Sequence, residues 1–206
     1  TPEDVYSTGL IWEDINRDGY IDLVISNGND IVIAPNHIYL SQYGVLPVTP
    51  TWSSQNSAYS GHCAVGDIDD NGFPDLVVAN YISNSGFSKP ALSDMYLNLT
   101  GIPSRVPNWH PKDSFYSFSC ALGDIDNDGD LDLAFATGEG YNGHAETDKI
   151  YLNENGFYAD EPSWESADVN FSMDVTFGDV DNDGDLDMAV CDHESGASIY
   201  YNTGGL

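Results

Sequence analysis

The chain has 206 residues, and its 41% hydrophobic and 12% aromatic content is typical of one globular domain with its own core. The 34 acidic residues outnumber the 5 lysines and arginines, and the net charge of −29 disfavours nucleic acid and anionic membrane surfaces as partners. No apolar run reaches the roughly 18 residues that a membrane-spanning segment needs, so the sequence predicts no membrane insertion.

The first predicted strand leads into an acidic loop that recurs through the chain. The first copy reads Asp14-Ile-Asn16-Arg-Asp18-Gly19-Tyr20-Ile-Asp22, and copies with the same phase follow at residues 67–75, 124–132 and 179–187. Each copy has oxygen side chains at loop positions 1, 3, 5 and 9 and a glycine at position 6, where the backbone must turn sharply. So many hard oxygen ligands in one short segment favour Ca²⁺. Solvated Asp-Gly turns would explain one copy, but not four in the same phase.

The four loops therefore predict four calcium sites. In each loop the expected ligands are the side chains at positions 1, 3, 5 and 9 and the backbone carbonyl at position 7. An EF-hand is excluded because it needs a glutamate at position 12, where the third copy has Phe135, and a helix on each side. The predicted ligand positions are Asp14, Asn16, Asp18, Tyr20 and Asp22; Asp67, Asp69, Asn71, Phe73 and Asp75; Asp124, Asp126, Asp128, Asp130 and Asp132; and Asp179, Asp181, Asp183, Asp185 and Asp187.

Every loop joins the first two strands of a predicted four-stranded unit. A third strand follows a variable connection and carries Ile38-Tyr39-Leu40 or its equivalents at residues 95–98, 150–153 and 199–202. The fourth carries Pro-x-Trp, ending at Trp52, Trp109 or Trp164. Short antiparallel strands with proline confined to the outermost one are typical of a propeller blade. The predicted repeats cover approximately residues 4–56, 57–113, 114–168 and 169–206 of a single domain, 1–206.

The repeated Asp-x-Asp/Asn-x-Asp/Asn-Gly-x-x-Asp loop between two strands resembles the FG-GAP or VCBS repeats of the integrin α-subunit β-propeller and its bacterial and fungal relatives. The resemblance covers essentially the whole chain, and Phe177-Gly178 is the nearest match to the Phe-Gly element that names the family. It implies an all-β fold, a β-propeller of four integrin-like blades, each a four-stranded antiparallel sheet. It also implies calcium in the loops.

The last predicted blade lacks a Pro-x-Trp strand, because only Leu206 follows Gly205. We therefore expect an unpaired edge at residues 199–202, and exposed edges recruit strands from other chains. The edge is expected to be covered by further blades of a longer parent chain or by a neighbouring subunit; a solvated edge is the alternative. No signal peptide is visible, so the chain is expected to be a mature or trimmed form.

The connections between the second and third strands vary most and define a candidate ligand face. Hairpin geometry places these connections on the face opposite the calcium loops. In integrin-like propellers, this face and the connections between blades bind ligands. Loops on a rigid scaffold are also a common place for binding sites. Solvated insertions are the alternative. The candidate residues are Tyr81, Phe87, Lys89, Tyr141, His144 and His193.

Aromatic and sulfur side chains are assigned to packing. The three Pro-x-Trp tryptophans share one phase and are predicted to pack between blades, with a sugar-stacking platform as the alternative. Trp12, at the strand position of Val65, Leu122 and Phe177, is predicted to lie in the core. The three cysteines give no disulfide framework and are predicted to be small buried hydrophobes, namely Cys63, Cys120 and Cys191.

No catalytic motif stands out, and the chain is not expected to be an enzyme. His62 and Cys63 are adjacent in a strand, so they point to opposite faces. Asn98 and Asn170 begin Asn-x-Thr/Ser patterns and are candidate glycan acceptors. Weak calcium sites, with dissociation constants of roughly 10⁻⁴ to 10⁻³ M, are typical of extracellular modules.

Three functions remain open. The first is a secreted or cell-surface, calcium-stabilised binding or adhesion module for a carbohydrate or an extracellular protein. The second is a structural subunit of an extracellular assembly or fibre, whose open blade edge is completed by a neighbouring chain. The third is a domain detached from a larger secreted enzyme.

Overall fold

The computed structural model describes residues 6–29, 31–83, 86–194 and 196–204, with only the backbone of Phe87. These ranges contain no helix, and therefore none long and apolar enough to cross a membrane. They contain fifteen strands: β1 (Ser7–Glu13), β2 (Asp22–Asn27), β3 (His37–Tyr39), β4 (Trp52–Ser53), β5 (Tyr59–Gly66), β6 (Asp75–Ser83), β7 (Gly86–Pro90), β8 (Asp94–Tyr96), β9 (Ser117–Gly123), β10 (Asp132–Thr137), β11 (Lys149–Tyr151), β12 (Trp164–Glu165), β13 (Ser172–Gly178), β14 (Asp187–Asp192) and β15 (Gly196–Tyr200).

The strands form four antiparallel sheets, here called blades 1 to 4, which confirm the predicted all-β, propeller-like fold. Blades 1 and 3 are regular meanders, β1-β2-β3-β4 and β9-β10-β11-β12. In blade 2 both β7 and β8 pair with β6, and the outer strand is reduced to one bridge between Met95 and Trp109. Blade 4 has only β13-β14-β15 among the described residues. The predicted repeat boundaries stay predictions.

Each blade has two faces, and the two central blades are packed between two others. We call the face toward the preceding blade the leading face and the one toward the following blade the trailing face. Paired residues of the first three strands make up each face. Leading-face triplets are Trp12–Leu23–Tyr39, Val65–Leu76–Tyr96, Leu122–Leu133–Tyr151 and Phe177–Met188–Tyr200; trailing-face triplets are Ile11–Val24–Ile38, Ala64–Val77–Met95, Ala121–Ala134–Ile150 and Thr176–Ala189–Ile199.

Three hydrophobic clusters join successive blades. Blade 1 packs its trailing face on the leading face of blade 2, and the same contact is repeated between blades 2 and 3 and between blades 3 and 4. The outer-strand tryptophan of one blade meets the third-strand tyrosine of the next edge to face, as in Trp52–Tyr96, with ring centroids 5.6 Å apart. Trp109–Tyr151 and Trp164–Tyr200 repeat this contact at 5.3 Å. The predicted packing of these tryptophans between blades is confirmed.

Two burial predictions are wrong, and both concern the end blades. The side chain of Trp12 is 55% exposed and its neighbour Leu10 is exposed as well, because no described blade covers the leading face of blade 1. Cys191 is exposed on the trailing face of blade 4, whereas Cys63 and Cys120 are buried as predicted. A strand position inside a repeat is buried only where a neighbouring blade is present.

Candidate metal centres and the variable-loop face

The backbone of all four acidic loops takes the same unusual turn. Position 4 has a left-handed conformation in every copy, with φ of 55, 55, 60 and 62° at Arg17, Asp70, Asn127 and Asn182. The glycine at position 6 has φ of 90 to 102°, a region that side chains with a Cβ rarely enter. The turn explains the invariant position of this glycine within the four loops. It also folds each loop back on its own first aspartate.

The aspartates at positions 1 and 9 hold the loop together. In the third copy the Oδ1 and Oδ2 atoms of Asp124 accept hydrogen bonds from the N–H groups of Asp128 and Gly129, at 3.0 and 3.1 Å. Oδ2 of Asp132 accepts the N–H of Ile125, and its Oδ1 accepts the N–H of Asn153, both at 2.8 Å. The position-9 bonds recur in all four loops, so this buried carboxylate ties the loop to the end of the third strand.

Carboxylates converge in three of the loops. An oxygen of each acid at positions 1, 3 and 9 lies within 4.8 Å of the other two. These groups could each hold a metal ion, and they are Asp67–Asp69–Asp75, Asp124–Asp126–Asp132 and Asp179–Asp181–Asp187. The first loop has Asn16 at position 3, so an amide oxygen replaces one carboxylate there. All side-chain donors in these centres are oxygens, which suits a hard cation such as Ca²⁺ better than a thiophilic metal.

Burial and repulsion from neighbouring aspartates disfavour the ionised form of the position-9 carboxylates in the second and third loops. Burial raises the pKa of Asp75 to about 6, and the neighbouring Asp69 and Asp67 add to the shift, although two backbone N–H bonds oppose it. The pKa of Asp132 is raised to about 6 for the same reasons. Oδ1 of Asp69 is buried and has no hydrogen-bond partner. Because an unpaired buried polar oxygen is costly, it fits a site that a cation completes.

In blades 2 to 4 a buried asparagine links the blade to the loop of the preceding blade, a role that sequence reasoning missed. The side-chain amide of Asn98 donates to the carbonyl of Ile15 in the loop of blade 1, at 2.9 Å. Asn153 and Asn202 donate in the same way to Ile68 and Ile125, at 2.8 and 2.7 Å. Each of these residues also donates its backbone N–H to the position-9 aspartate of its own blade. The available signal was an asparagine directly after the third strand of blades 2, 3 and 4; blade 1 has Ser41 at this position.

The candidate glycan acceptor Asn98 is a correction. Its side chain is 0% exposed, and its amide nitrogen is committed to the carbonyls of Ile15 and Pro74. An oligosaccharide cannot be attached to this nitrogen in the folded state. Asn170 is partly exposed and stays a candidate.

The variable connections present some of the predicted ligand-face residues together. Tyr141 is 75% exposed, and its ring lies 5.7 Å from that of His193, between blades 3 and 4. The exposed His144 stacks on Tyr116 with ring planes 13° apart. Buried Glu139 shapes this loop, because its carboxylate accepts the N–H groups of Tyr141 and Asn142.

The remaining predicted ligand-face residues lie apart from this group. Tyr81 is buried and packs 3.9 Å from the ring of Phe118, so it contributes no accessible surface there. Lys89 is exposed on β7 in blade 2. The side chain of Phe87 lies outside the described residues.

A cavity of about 390 Å³ is lined by residues from the first strand of each of the four blades. It contains His62, whose Nδ1 is 3.6 Å from Asp174, and Ser119, whose hydroxyl donates to Asp174 at 2.6 Å. The pKa of Cys63 is raised to about 11 by burial, so this cysteine is a thiol and not a nucleophilic thiolate at neutral pH.

The fold and the four loops define a propeller-like protein built from repeats that carry acidic, oxygen-rich loops. The chain belongs to the FG-GAP-like repeat family, whose model matches residues 14–78 and 124–190, more than half of the sequence. Each match begins at the first aspartate of one acidic loop and ends in the strand that follows the next acidic loop, in agreement with the predicted repeat. A comparison with curated proteins gives no match. Repeats of this family generally form non-enzymatic binding modules, often bind Ca²⁺ and are typical of extracellular proteins.

Proposed function

We propose that this protein is a calcium-stabilised binding or adhesion module that acts outside the cell or at its surface and is not an enzyme. Each of the four loops binds one Ca²⁺ through the side chains at positions 1, 3, 5 and 9 and the carbonyl at position 7. The observation that carries the proposal is the convergence of three carboxylates within 4.8 Å in three loops, next to the orphaned Oδ1 of Asp69. A cation removes both the repulsion and the missing contact.

Calcium removal tests this proposal. A site held at ten times its dissociation constant contributes about 1.4 kcal/mol, so four independent sites would contribute about 5 to 6 kcal/mol. That is comparable to the whole stability of an ordinary domain. Excess EGTA should therefore lower the melting temperature strongly, and an unchanged melting curve would refute the proposal. Calorimetric titration should count four sites with dissociation constants of roughly 10⁻⁴ to 10⁻³ M.

The partner is a carbohydrate or an extracellular protein that binds the variable-loop face. Support comes from the exposed ring of Tyr141 beside His193, on a loop that Glu139 holds in place. Rigid exposed aromatic rings are suited to stacking on sugars and to anchoring protein contacts. A glycan array and an extracellular protein array should give ligands that Tyr141→Ala loses and Phe157→Ala, on the calcium-loop side, retains. Equal binding by both variants would rule out this face.

A structural subunit of an extracellular assembly is the second candidate, favoured by one observation at the edge of blade 4. In blades 1 to 3 the third-strand carbonyl of Ile38, Met95 or Ile150 accepts an N–H from the outer strand at 2.8 to 2.9 Å. Ile199 is the equivalent in blade 4, and no outer strand pairs with β15 in the described residues. A strand from a neighbouring chain would complete this edge. Electron microscopy of the native material would reveal such an assembly, and freely exchanging amides on β15 in every preparation would argue against it.

A further inference from the structure

Two of the three interfaces between blades, those between blades 2 and 3 and between blades 3 and 4, have a glycine at the end of the first strand, where blade 1 has Glu13. A Cβ atom added to Gly66 would lie 2.7 Å from Leu131 and 3.1 Å from Leu122 of the next blade. A Cβ added to Gly123 would lie 2.8 Å from Phe177 and 3.1 Å from Leu186. Each glycine thus leaves room, here called a socket, for two large side chains of the next blade. One is the last leading-face residue of that blade's first strand, and the other is the residue before that blade's position-9 aspartate.

Blade 4 has the same glycine, and no described residue packs over it. Gly178 occupies the same position and does not have a left-handed φ, yet no described atom lies within 4 Å of an added Cβ. Around it the trailing face is apolar and open, with Ile199 47% and Val180 52% exposed and with Cys191 exposed too. The backbone does not require glycine at this place. The glycine is explained by a residue that packs over it from outside the blade.

Blade 1 carries the matching side chains without a socket. Trp12 and Ile21 are the equivalents of Phe177 and Leu186, and they are 55% and 54% exposed. Leu10, beside them on the leading face, is exposed as well, whereas Tyr39 at the outer end of this face is already buried. The hydroxyl of Ser41, at the position of the linking asparagines, is buried and has no hydrogen-bond partner. The accessible part is therefore the inner half of the leading face.

We propose that the trailing face of blade 4 binds the leading face of blade 1 from a second copy of this chain, head to tail. Trp12 and Ile21 of one copy pack over Gly178 of the other, continuing the interface already formed twice within the chain. This contact is heterologous, so it gives a closed ring or an open filament.

Charge sets the conditions for assembly. The chain has a net charge of −29, which opposes contact between copies. The acidic loops of blades 1 and 4 lie beside the two faces, so bound calcium and moderate salt both reduce the repulsion. The proposal does not depend on calcium, because salt alone is expected to allow the contact once the fold is stable. Failure to bind calcium and failure to assemble are therefore separate results.

Light scattering and sedimentation of the full chain test the proposal over a range of concentrations, in calcium and moderate salt. Wild-type protein should show a mass of two or more chains of 22.4 kDa. Gly178→Leu fills the socket at a place where an added Cβ meets no described atom of its own chain, and Trp12→Glu removes the side chain that packs into the socket. Because overpacking destabilises an interface, Gly178→Leu should raise the dissociation constant about tenfold to a hundredfold, which corresponds to about 1.4 to 2.8 kcal/mol. Phe157→Glu, which introduces the same charge at a more exposed aromatic residue of blade 3, is the control and should assemble like wild type.

Mixing the two variants gives the sharpest result. Each variant retains one intact face, so an equimolar mixture should form pairs of chains and stop there, although each variant alone is a monomer. A wild-type chain that stays monomeric at every concentration overturns the proposal. Variants that assemble like wild type also overturn it and assign the contact to the strand edge of blade 4. Melting temperatures in calcium confirm that each variant is folded before its mass is interpreted.

Discussion

The two central blades and the two end blades share one sequence pattern but not one environment. Ala136 is fully buried between blades 3 and 4, whereas its counterpart Cys191 is exposed on the last blade. Val65 is partly covered by blade 1, whereas its counterpart Trp12 lies mostly in solvent. The pattern within a repeat specifies the blade, and the neighbouring blade decides which of its residues are buried. Substitutions at equivalent positions can therefore separate local from interface contributions to stability.

The largest loss of stability is expected at the position-9 aspartates, which have the same environment in end and central blades. Asp22 and Asp75 are both fully buried and both accept two backbone N–H groups. Asp75→Ala and Asp22→Ala should each lower the free energy of unfolding by about 4 kcal/mol, because two buried donors lose a charged acceptor. Each variant should also bind one calcium fewer by calorimetry.

The matched control is Asp70→Asn, at position 4 of the second loop. Asn tolerates the φ of 55° at this exposed position, and its side chain is not an expected ligand. It should bind as many calcium ions as wild type. Identical stoichiometry for Asp70→Asn and Asp75→Ala would show that the assignment of loop positions is wrong.

The next largest loss of stability is expected at the first-strand glycine of a central blade, and the same substitution in an end blade should have almost no effect. Gly123→Leu forces a side chain into Phe177 and Leu186 and should cost about 3 kcal/mol in urea unfolding. Gly178→Leu, measured at high dilution, should change the free energy of unfolding by less than about 0.5 kcal/mol, because its surroundings are open. A comparable loss in both variants would mean that the two environments do not differ as described.

A smaller difference is expected at the linking asparagines. Asn153→Ala removes the bond to the Ile68 carbonyl and the acceptor for the N–H of Gly156, and should cost about 2 kcal/mol. Ser41→Ala removes a buried hydroxyl without a partner and should be neutral or slightly stabilising in the monomer. Urea unfolding of both variants at one calcium concentration checks the pair; a larger loss for Ser41→Ala would contradict it.

The smallest expected effect is a gain in stability. Burial raises the pKa of Asp148 in blade 3 to about 6, with repulsion from Asp192 adding to the shift. Its Oδ1 accepts the N–H of Thr137 at 3.0 Å, as the amide oxygen of Asn36 does for Asn27 in blade 1. Asp148→Asn keeps this acceptor, and its amide can donate to the Ser172 hydroxyl. It should raise the free energy of unfolding at pH 7 by about 1 kcal/mol. The full cost of the raised pKa, about 3 kcal/mol, is the upper limit of this gain.

The sign of its pH dependence provides the check. A carboxyl group whose pKa is raised by folding destabilises the fold fully above the folded pKa and not at all below the unfolded value. The advantage of Asp148→Asn should therefore grow between about pH 4 and pH 6 and then stay constant. Unfolding free energies at several pH values, measured against wild type, would contradict this if the advantage were largest in acid.

Much of the fold could be predicted from the sequence because each repeat is locally consistent. The acidic loop, the strand on each side of it and the Pro-x-Trp outer strand recur with one phase, and the structure contains all of them in blades 1 and 3. The packing of Trp52, Trp109 and Trp164 between blades followed from the same phase. Local chemistry was enough for these features.

What could not be predicted depends on contacts between repeats. Trp12 and Cys191 are exposed because no described blade packs on their faces, and a local pattern does not encode such contacts. The match of Asn98 to a glycan acceptor pattern is fortuitous, because its side chain donates a hydrogen bond to the carbonyl of Ile15, 83 residues away. The convergence of Tyr141 and His193 requires two different blades to lie side by side. Long-range packing decided each of these cases.

The linking asparagines have a consequence for how the loops respond to their ligand. Ile68 donates its N–H to Asp75 and accepts from Asn153, which in turn donates its N–H to Asp132, and the same sequence of bonds runs on to Asp187. One unbroken series of hydrogen bonds thus passes through the position-9 carboxylate of all four loops. Ordering one loop should make its neighbour less costly to order. Filling of the four loops should then be cooperative, with a response to calcium steeper than that of independent sites.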